Sequence, residues 1–398
     1  MIKMISKYFF LSAIVACGFL CTAEHQKQER ALYSEYGITK PLTSISHSNE
    51  LLGAKRLTGV GLIPQTSWVL IGTQKNAAAV INVKTFAAAS FAPPELRSSC
   101  VTSMASAFCT NRIAYTTASQ LFVGRFTPKS ITGYRCSYAV VDVEDHVNTL
   151  AFDPTDSTVA GGCDDGAVRL WAVERAEPKV IISAMRRAAL QRTVPIFALA
   201  YLDNNTMCYN SSSCGIVLHD LRSQEKTIYE DQHSGFVPTI ATNIAHKLIV
   251  SGGADGKVRL FDVRQSRVIQ QSFSMLTDGG EPSSPITSLA FHPSLQEFWV
   301  GQENGQFMLR RTNTPEKSIG GFAKDSAPIS AMSVRDLTVG YCAVSVSWNG
   351  LVCFHGLDLD VPVAPKKSKK RKKIHGLPTL SIRGYKALCR YRAVEKNR

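Results

Sequence analysis

The chain has 398 residues, which by length alone would allow two or three domains. Its content of 44% hydrophobic and 9% aromatic residues is ordinary for a soluble globular protein and excludes a chain that is disordered throughout. The formal net charge of +14 is unevenly spread, because residues 366–398 hold thirteen Lys or Arg and one acid, a net of +12. The remaining chain carries only +2, so we expect a nearly neutral folded part with a basic tail.

Residues 1–23 have the pattern of a secretory signal. Lys3 and Lys7 give a positive start, Tyr8–Leu20 is an apolar run of thirteen residues, and Ala23 is a small residue suited to cleavage. The run is too short to span a bilayer comfortably, so a membrane anchor is the weaker interpretation. Residues 24–50 form a lead-in segment before the first repeat.

Cysteine usage argues against export. The eleven cysteines contain no C-x-x-C pair and show no spacing typical of a disulfide framework. Two hypotheses for location therefore stay open: a secreted or luminal protein that uses residues 1–23, and a nuclear or cytoplasmic protein in which a misplaced start codon explains the leader.

A repeat recurs seven times between residues 51 and 364. Residues Val147–Pro154 read V-N-T-L-A-F-D-P and residues Ile286–Pro293 read I-T-S-L-A-F-H-P. Such a unit cannot bury its apolar face alone and must stack on its neighbours. The units return at intervals of 44, 46, 49, 41, 49 and 43 residues, anchored at Leu57, Val101, Val147, Ile196, Val237, Ile286 and Ile329.

Each unit contains a polar turn followed by a short apolar run. Gly or Asn suits the turn because a tight connection between strands needs a positive φ angle, so Gln120 in the second unit fits poorly. The apolar runs, such as A-V-R-L-W at Ala167–Trp171, have the composition of half-buried strands. Only Ala184–Gln191 suggests a helical insert. The turn residues are Asn76, Gln120, Gly166, Gly215, Gly256, Gly305 and Gly350.

Two of these units resemble WD repeats (Trp-Asp repeats). Gly161–Trp171 reads G-G-C-D-D-G-A-V-R-L-W, and Ser251–Arg264 reads S-G-G-A-D-G-K-V-R-L-F-D-V-R. His233 lies where that family places its Gly-His histidine. The resemblance covers about residues 51–360 and implies an all-β fold: a seven-bladed β-propeller of four-stranded blades around a central channel. The outer strand that closes the ring would come either from residues 40–50 or from Leu357–Val363.

The resemblance also implies structural roles for the signature residues. In WD repeats an Asp before the turn glycine, a strand Ser, a His and a Trp share buried hydrogen bonds. Unit five has His233, Ser251 and Asp255, but Phe261 stands in the Trp position and cannot donate a hydrogen bond. Unit three has Asp165 and Trp171, with His146 displaced toward the strand. The copies have diverged, so we expect these blades to depend more on packing.

Two arginines are candidate contacts for an adaptor protein. Asp262-Val263-Arg264 and Asp220-Leu221-Arg222 each place an arginine two residues after the closing aspartate. This ending resembles the D-x-R motif of WD-repeat substrate receptors of cullin-RING ubiquitin ligases. The same arginine also pairs locally with neighbouring acids in many unrelated repeats, so both roles stay open.

The sequence contains no motif for catalysis or for a cofactor. It lacks the glycine-rich phosphate loops, H-E-x-x-H and G-x-S-x-G, and its nine histidines are scattered without metal-ligand spacing. The adjacent carboxylates Asp164 and Asp165 lie in a repeat turn, where a structural role is expected. We therefore predict no enzyme activity, cofactor, metal or small-molecule substrate.

The basic tail occupies residues 365–398. Its densest part is Lys366–Lys373, which reads K-K-S-K-K-R-K-K, and such a block repels itself and should be disordered in isolation. It suggests a nuclear-import signal or an RNA contact, against the alternative of a solvated tail that aids solubility. The basic residues are Lys366, Lys367, Lys369, Lys370, Arg371, Lys372 and Lys373.

These features predict a noncatalytic scaffold that binds protein partners in a multiprotein complex. The tail would direct it to the nucleus or nucleolus, where ribonucleoprotein or ribosome assembly would suit its charge. The alternatives are a substrate receptor of a cullin-RING ubiquitin ligase and a secreted or luminal propeller.

Overall fold

The short apolar runs of the sequence form β-strands in a computed structural model of the chain. Within the described residues there are thirty strands and no α-helix. The leader and the basic tail lie outside the described residues. The structure describes residues 45–47, 56–74, 78–85, 88–90, 100–129, 134–174, 177–182, 186–187, 192–210, 215–229, 232–264, 271–274, 284–322, 327–338 and 340–355.

The strands form seven antiparallel four-stranded sheets, which are the blades of a propeller. Within a blade, consecutive strands pair in chain order from the inner to the outer strand. The first three blades are β2–β5 (Leu57–Leu62, Trp68–Thr73, Ala78–Asn82, Ala88–Ser90), β6–β9 (Ser103–Ser106, Arg112–Thr116, Gln120–Pro128, Tyr134–Asp142) and β10–β13 (Val147–Phe152, Thr158–Cys163, Val168–Ala172, Glu177–Ile182).

The next three blades repeat the same arrangement, and the seventh takes its outer strand from the other end of the chain. Blades four to six are β16–β19 (Leu199–Tyr201, Thr206–Asn210, Ile216–Asp220, Lys226–Tyr229), β20–β23 (Thr239–Asn243, Leu248–Gly252, Lys257–Asp262, Gln271–Ser274) and β24–β27 (Ile286–Phe291, Glu297–Gln302, Phe307–Arg311, Thr314–Phe322). Blade seven is β28–β30 (Ile329–Leu337, Gly340–Ser347, Val352–His355) with β1 (Ile45–His47).

The seven-bladed fold predicted from the repeat is confirmed, with two local corrections. Gln120 is the first residue of β8, so the turn of blade two lies just before it, where Thr117 N–H donates to the Gln120 carbonyl at 2.9 Å. The segment expected to be helical, Ala184–Gln191, instead contains β14 (Arg186–Arg187), which pairs with β15 (Arg192–Thr193) as a small hairpin between blades three and four.

The ring closes through β1. This strand pairs antiparallel with β30, with Ile45 opposite Phe354, so the lead-in segment supplies the outer strand. The other candidate, Leu357–Val363, lies outside the described residues. The lead-in segment thus contributes β1 to the propeller. Inner strands of neighbouring blades contact one another around the whole circle, including β28 against β2.

The core consists of seven apolar clusters, one at each interface between neighbouring blades. The cluster between blades seven and one joins Leu57 and Val69 to Val344 and Phe354, all fully buried. Each of the other six clusters likewise joins buried residues of two neighbouring blades. Each blade therefore buries one face on each neighbour, and burial of this apolar area is the main stabilising term of the fold.

Hydroxyl groups tie several inner strands to the next blade. In each case the donor stands one residue after the repeat anchor and the acceptor is the anchor carbonyl of the following blade. Thr102 Oγ1 donates to Val147 at 3.0 Å, and Thr287 Oγ1 donates to Ile329 at 2.6 Å. Ser330 Oγ donates to the Leu57 carbonyl at 2.8 Å and so links the last blade to the first.

A β-bulge explains this contact in blades six and seven. The strand register shifts between Ile286 and Ser288 and between Ile329 and Ala331, which leaves Thr287 and Ser330 as the extra residues. A bulge redirects the side chain of the extra residue away from its own sheet. The hydroxyl can therefore reach the neighbouring blade.

Candidate functional site

The signature residues of blade five form a buried hydrogen-bonded chain. His233 Nδ1 lies 3.0 Å from Asp255 Oδ1, and its Nε2 lies 2.9 Å from Ser251 Oγ. Asp255 also accepts the backbone N–H groups of Ser234 and Lys257. Gly253 must be a glycine, because a Cβ there would lie 2.1 Å from His233 Nδ1.

Electrostatics fixes the charge states within this chain. Burial lowers the pKa of His233, although the hydrogen bond that His233 donates to Asp255 opposes that effect. Burial alone would raise the pKa of Asp255, but the hydrogen bonds from His233 and from the backbone outweigh it and hold the pKa below its usual value. His233 is therefore neutral and lies between the carboxylate of Asp255 and the hydroxyl of Ser251.

The Ser-His-Asp order has the connectivity of a hydrolase triad but not its accessibility. A catalytic serine must present its hydroxyl to a substrate carbonyl beside oxyanion donors. Ser251 has 0% exposed surface and His233 only 4%. These hydrogen bonds therefore link the turn of blade five to its second strand through His233 and offer no nucleophile to a ligand.

Blade three replaces the histidine with an arginine. Asp165 receives two hydrogen bonds from the guanidinium of Arg169, at 3.1 and 2.7 Å, and another from the N–H of Ala167. His146 lies elsewhere, with its Nδ1 3.0 Å from Asn148 Oδ1. Burial would raise the pKa of Asp165, but the bonds from Arg169 and Ala167 lower it. An ion pair thus takes over the role that the histidine has in blade five.

The tryptophan position of WD repeats holds varied residues in blades three to seven. Trp171 and Phe261 fill it in blades three and five, and both are buried. The strand register places His219, Arg310 and His355 at the same position in blades four, six and seven. All three are buried in this part of the chain.

His355 is held in an aromatic cage that belongs to blade six. Its ring stacks on Trp299 at 5.4 Å and lies 4.6 Å from the ring of Phe307. Its Nε2 is 3.4 Å from Ser345 Oγ. Burial lowers the pKa of His355 to about 3, so the imidazole is neutral.

Four turn glycines define one face of the ring, which we call the glycine-turn face. Their φ angles of 78°, 70°, 80° and 84° lie in the left-handed region that disfavours side chains. The turns they form join the second and third strands of their blades. They are Gly166, Gly256, Gly305 and Gly350.

Exposed aromatic side chains stand on the glycine-turn face. Phe197 and Phe236 precede the inner strands of blades four and five, are 43% and 57% exposed, and touch edge to face at 6.2 Å. Trp348 in the turn of blade seven is 47% exposed, with the guanidinium of Arg56 5.2 Å from its ring centre. Sequence reasoning missed this surface. The available signal was Phe197 itself, because the other units place Thr, Ser, Asn or Pro directly after the anchor.

The channel opens on the opposite face, at the ends of the inner strands. All seven inner strands line this opening, the channel mouth, which has a volume of about 540 Å³. Its walls are mainly apolar and include Phe108, Tyr201, Ile244 and Phe291, with Arg335 as the cation among them.

The two candidate adaptor contacts are paired locally. Arg264 binds both carboxylate oxygens of Asp262, through Nε at 2.9 Å and a terminal nitrogen at 2.6 Å. A terminal nitrogen of Arg222 lies 3.7 Å from Asp220 Oδ2. Both side chains are exposed, at 58% and 73%. The structure thus gives each arginine a carboxylate partner from its own repeat ending.

Other features bear on location and cofactors. The seven cysteines within the described ranges are free thiols. In those same ranges, no three His, Cys, Asp or Glu side chains come together as metal ligands would, and no helix is long and apolar enough to cross a membrane. The tail residues Lys366–Lys373 and the leader 1–23 lie outside the described part of the chain.

Replacing His355 with Phe is expected to flatten the loss of stability in acid. The unfolded histidine takes up a proton near pH 6.5, whereas the folded pKa is about 3. The stability contributed by the neutral ring is therefore present above pH 6.5 and is lost as the pH falls toward 3, at up to about 1.4 kcal/mol per pH unit. Urea unfolding at pH 7, 6 and 5 measures this slope.

The matched control for that measurement is His246→Asn, in a turn of blade five away from the cage. This variant should keep the slope of the unaltered chain. If the free energy of unfolding fell equally with pH in the unaltered chain and in His355→Phe, the buried neutral state of His355 would be contradicted.

Comparison with known proteins agrees with this architecture. Two stretches of the chain, residues 138–172 and 223–262, match the family described as WD domain, G-beta repeat. They cover β10–β12 and the part of blade five that contains His233, Ser251 and Asp255.

Three relatives are similar over part of the chain. Intraflagellar transport protein 80 homolog of Rattus norvegicus is 23% identical over 35% of this chain and 16% of its own length. Transducin-like enhancer protein 2 of Mus musculus is 24% identical over 44% of this chain and 21% of its own. Eukaryotic translation initiation factor 3 subunit I of Drosophila grimshawi is 25% identical over 41% and 50%.

The match spans half or less of the length of each of these relatives. Low identity is consistent with the varied residues found at the tryptophan position. The repeat matches and the seven four-stranded blades together lead to one conclusion: the chain contains WD repeats of divergent sequence within a seven-bladed β-propeller.

Proposed function

We propose that the protein is a noncatalytic scaffold that holds protein partners together in a multiprotein complex. The observation that carries this proposal is the exposed aromatic surface on the glycine-turn face, where Phe197 and Phe236 are 43% and 57% exposed. Exposed aromatic side chains in contact with each other are typical of surfaces that bind proteins. The closed ring holds them on a rigid frame, which lowers the entropic cost of binding.

The buried state of the polar residues supports a noncatalytic role. The Ser251–His233–Asp255 chain, which has the chemistry of a nucleophile and base, is sealed inside blade five. The neutral His355 is likewise enclosed between Trp299 and Phe307. These side chains contribute to stability and have no route to a substrate.

The names of two relatives support an assembly role. One is, by its name, a subunit of translation initiation factor 3, and another is named for intraflagellar transport. For this chain we extend the proposal to its basic tail: Lys366–Lys373 would direct the scaffold to the nucleus or nucleolus, where ribonucleoprotein or ribosome assembly would suit an RNA-contacting segment.

The ubiquitin-ligase alternative has less support. It requires Arg222 and Arg264 as anchors for an adaptor, and Arg264 already binds both oxygens of Asp262. Recovery of a cullin with its adaptor, lost in the double variant Arg222→Ala and Arg264→Ala, would favour this alternative over the scaffold proposal. The secreted or luminal alternative depends on residues 1–23 and is tested by location.

The double variant Phe197→Ser and Phe236→Ser should lose the partners of the full chain. The change removes the exposed apolar area that would be buried in a complex, and truncation of such an aromatic contact typically costs about 2 kcal/mol or more of binding free energy. Affinity capture with a tagged full chain, followed by quantitative mass spectrometry, measures the loss.

The matched control for that capture is Tyr138→Ser with Val140→Ser on β9, the outer strand of blade two. These side chains are 37% and 46% exposed but lie at the rim of the ring. The control should keep its partners. Equal recovery from both double variants would contradict a docking role for the glycine-turn face.

Replacing the seven basic residues of Lys366–Lys373 with Gln should move the protein out of the nucleus. The change removes the positive charge that an import receptor or RNA would bind. Fluorescence of a fusion at the carboxyl end reports location while both targeting segments remain in place.

The control for location replaces the later basic residues with Gln and should stay nuclear. Its substitutions are at Arg383, Lys386, Arg390, Arg392, Lys396 and Arg398. Accumulation of the unaltered fusion in secretory compartments would contradict nuclear targeting and favour the secreted alternative.

A further inference from the structure

The channel mouth contains one cation that reaches across the ring. Arg335 lies near the end of the inner strand of blade seven, yet its guanidinium donates to the carbonyl of Ala107 in blade two at 2.5 Å. The guanidinium also lies 5.9 Å from the ring centre of Phe108. It thus reaches past blade one, which lies between blades seven and two in the ring.

Arg335 makes no ion pair with a carboxylate in the described part of the chain. Asp156 attracts it from a distance. That carboxylate is already taken, because it accepts the backbone N–H groups of Phe108, Cys109 and Thr110 at 2.6, 2.9 and 2.8 Å. Asp336, the next residue, lies instead beside His292 at 3.4 Å.

Arg335 is half-buried among mainly apolar side chains. Burial lowers the pKa of Arg335, although nearby Asp156 opposes the effect, and apolar residues from the other inner strands form the walls. A guanidinium carries five donors in a planar fork that matches a carboxylate. A charge removed from water without a paired counter-charge is costly, and an incoming anion would offset that cost.

We propose that the channel mouth binds a peptide segment of a protein partner through one carboxylate held by Arg335 and apolar side chains on either side of it. A volume of about 540 Å³ fits a few side chains and not a folded domain. One carboxylate neutralises one guanidinium. A phosphate would bring a second negative charge into an apolar opening whose described lining residues include no second cation to meet it. This inference rests on the proposed scaffold function, since it names the chemistry of a partner.

Amidated nine-residue peptides test this site. Each pool of peptides has one fixed central residue: Asp, Glu, Asn, Gln, Lys or phosphoserine. The other positions vary among Leu, Ile, Val, Phe, Ala and Ser. Fluorescence polarisation with the full chain measures binding of each pool. We expect the Asp and Glu pools to bind about tenfold or more tightly than the Asn and Gln pools.

Three variants locate that preference. Arg335→Gln should abolish it, whereas Arg264→Gln, which alters an exposed arginine outside the mouth, should leave it unchanged. Ala245→Trp fills the mouth from an exposed turn position and should weaken binding of every pool. If Arg335→Gln fails to fold, two other variants still test the site. Arg335→Lys should weaken the preference for the Asp and Glu pools, and Ala245→Trp should weaken binding of every pool.

A further pool carries a central Asn and a free carboxyl end. Tight binding of this pool, lost in Arg335→Gln, would support the same anion site and assign the carboxylate to a chain end. Equal binding of all pools, absence of binding, preference for phosphoserine, or a preference that survives Arg335→Gln would overturn the proposal. Those results would leave partner capture through Phe197 and Phe236 intact, so the two proposals fail separately.

Discussion

Each blade of this protein has two apolar faces, and both must be covered by other blades. That constraint requires a closed circle, because an open row would leave the faces of the first and last blades in water. The chain meets it with seven clusters of equivalent construction, of which the one joining Leu57 to Phe354 closes the ring. Strand β1 and the hydroxyl of Ser330 reinforce the same junction from its outer and inner sides.

Closure by packing explains why the polar signature could diverge. The His233–Asp255–Ser251 chain persists in blade five, Arg169 replaces the histidine in blade three, and His355 occupies the tryptophan position in blade seven. Each substitution keeps a buried group satisfied or neutral by local means, whereas the interfaces between blades keep the same apolar character. Function is then free to use the two open faces and the rim.

The sequence predicted the blades because their period and turn chemistry are local. The turn glycines Gly166, Gly256, Gly305 and Gly350 have the positive φ angles that a tight connection requires. It left the closing strand open, since either flanking segment could pair with β30 and only tertiary packing chooses Ile45–His47. Gln120 was misplaced because the turn of blade two ends before it, so the constant spacing fails there.

The candidate sites were less visible in the sequence. Phe197 and Phe236 come from different blades, and Arg335 reaches a blade that is distant along the chain, so their surroundings depend on the ring as a whole. A phenylalanine directly after an anchor and a lone cation in an apolar strand were the only local signals. The repeat in the sequence therefore predicts the blades. The exposed surfaces can be identified only once the whole ring is known.

The dependence of the ring on its closing strand can be measured directly by amide hydrogen exchange. A chain beginning at residue 43 keeps β1, and a chain beginning at residue 50 lacks it. If β1 closes the ring, the shorter chain should show faster amide exchange along β30 and a lower urea midpoint of unfolding. The longer chain should match the full protein in both. Identical exchange along β30 in both chains would contradict the account.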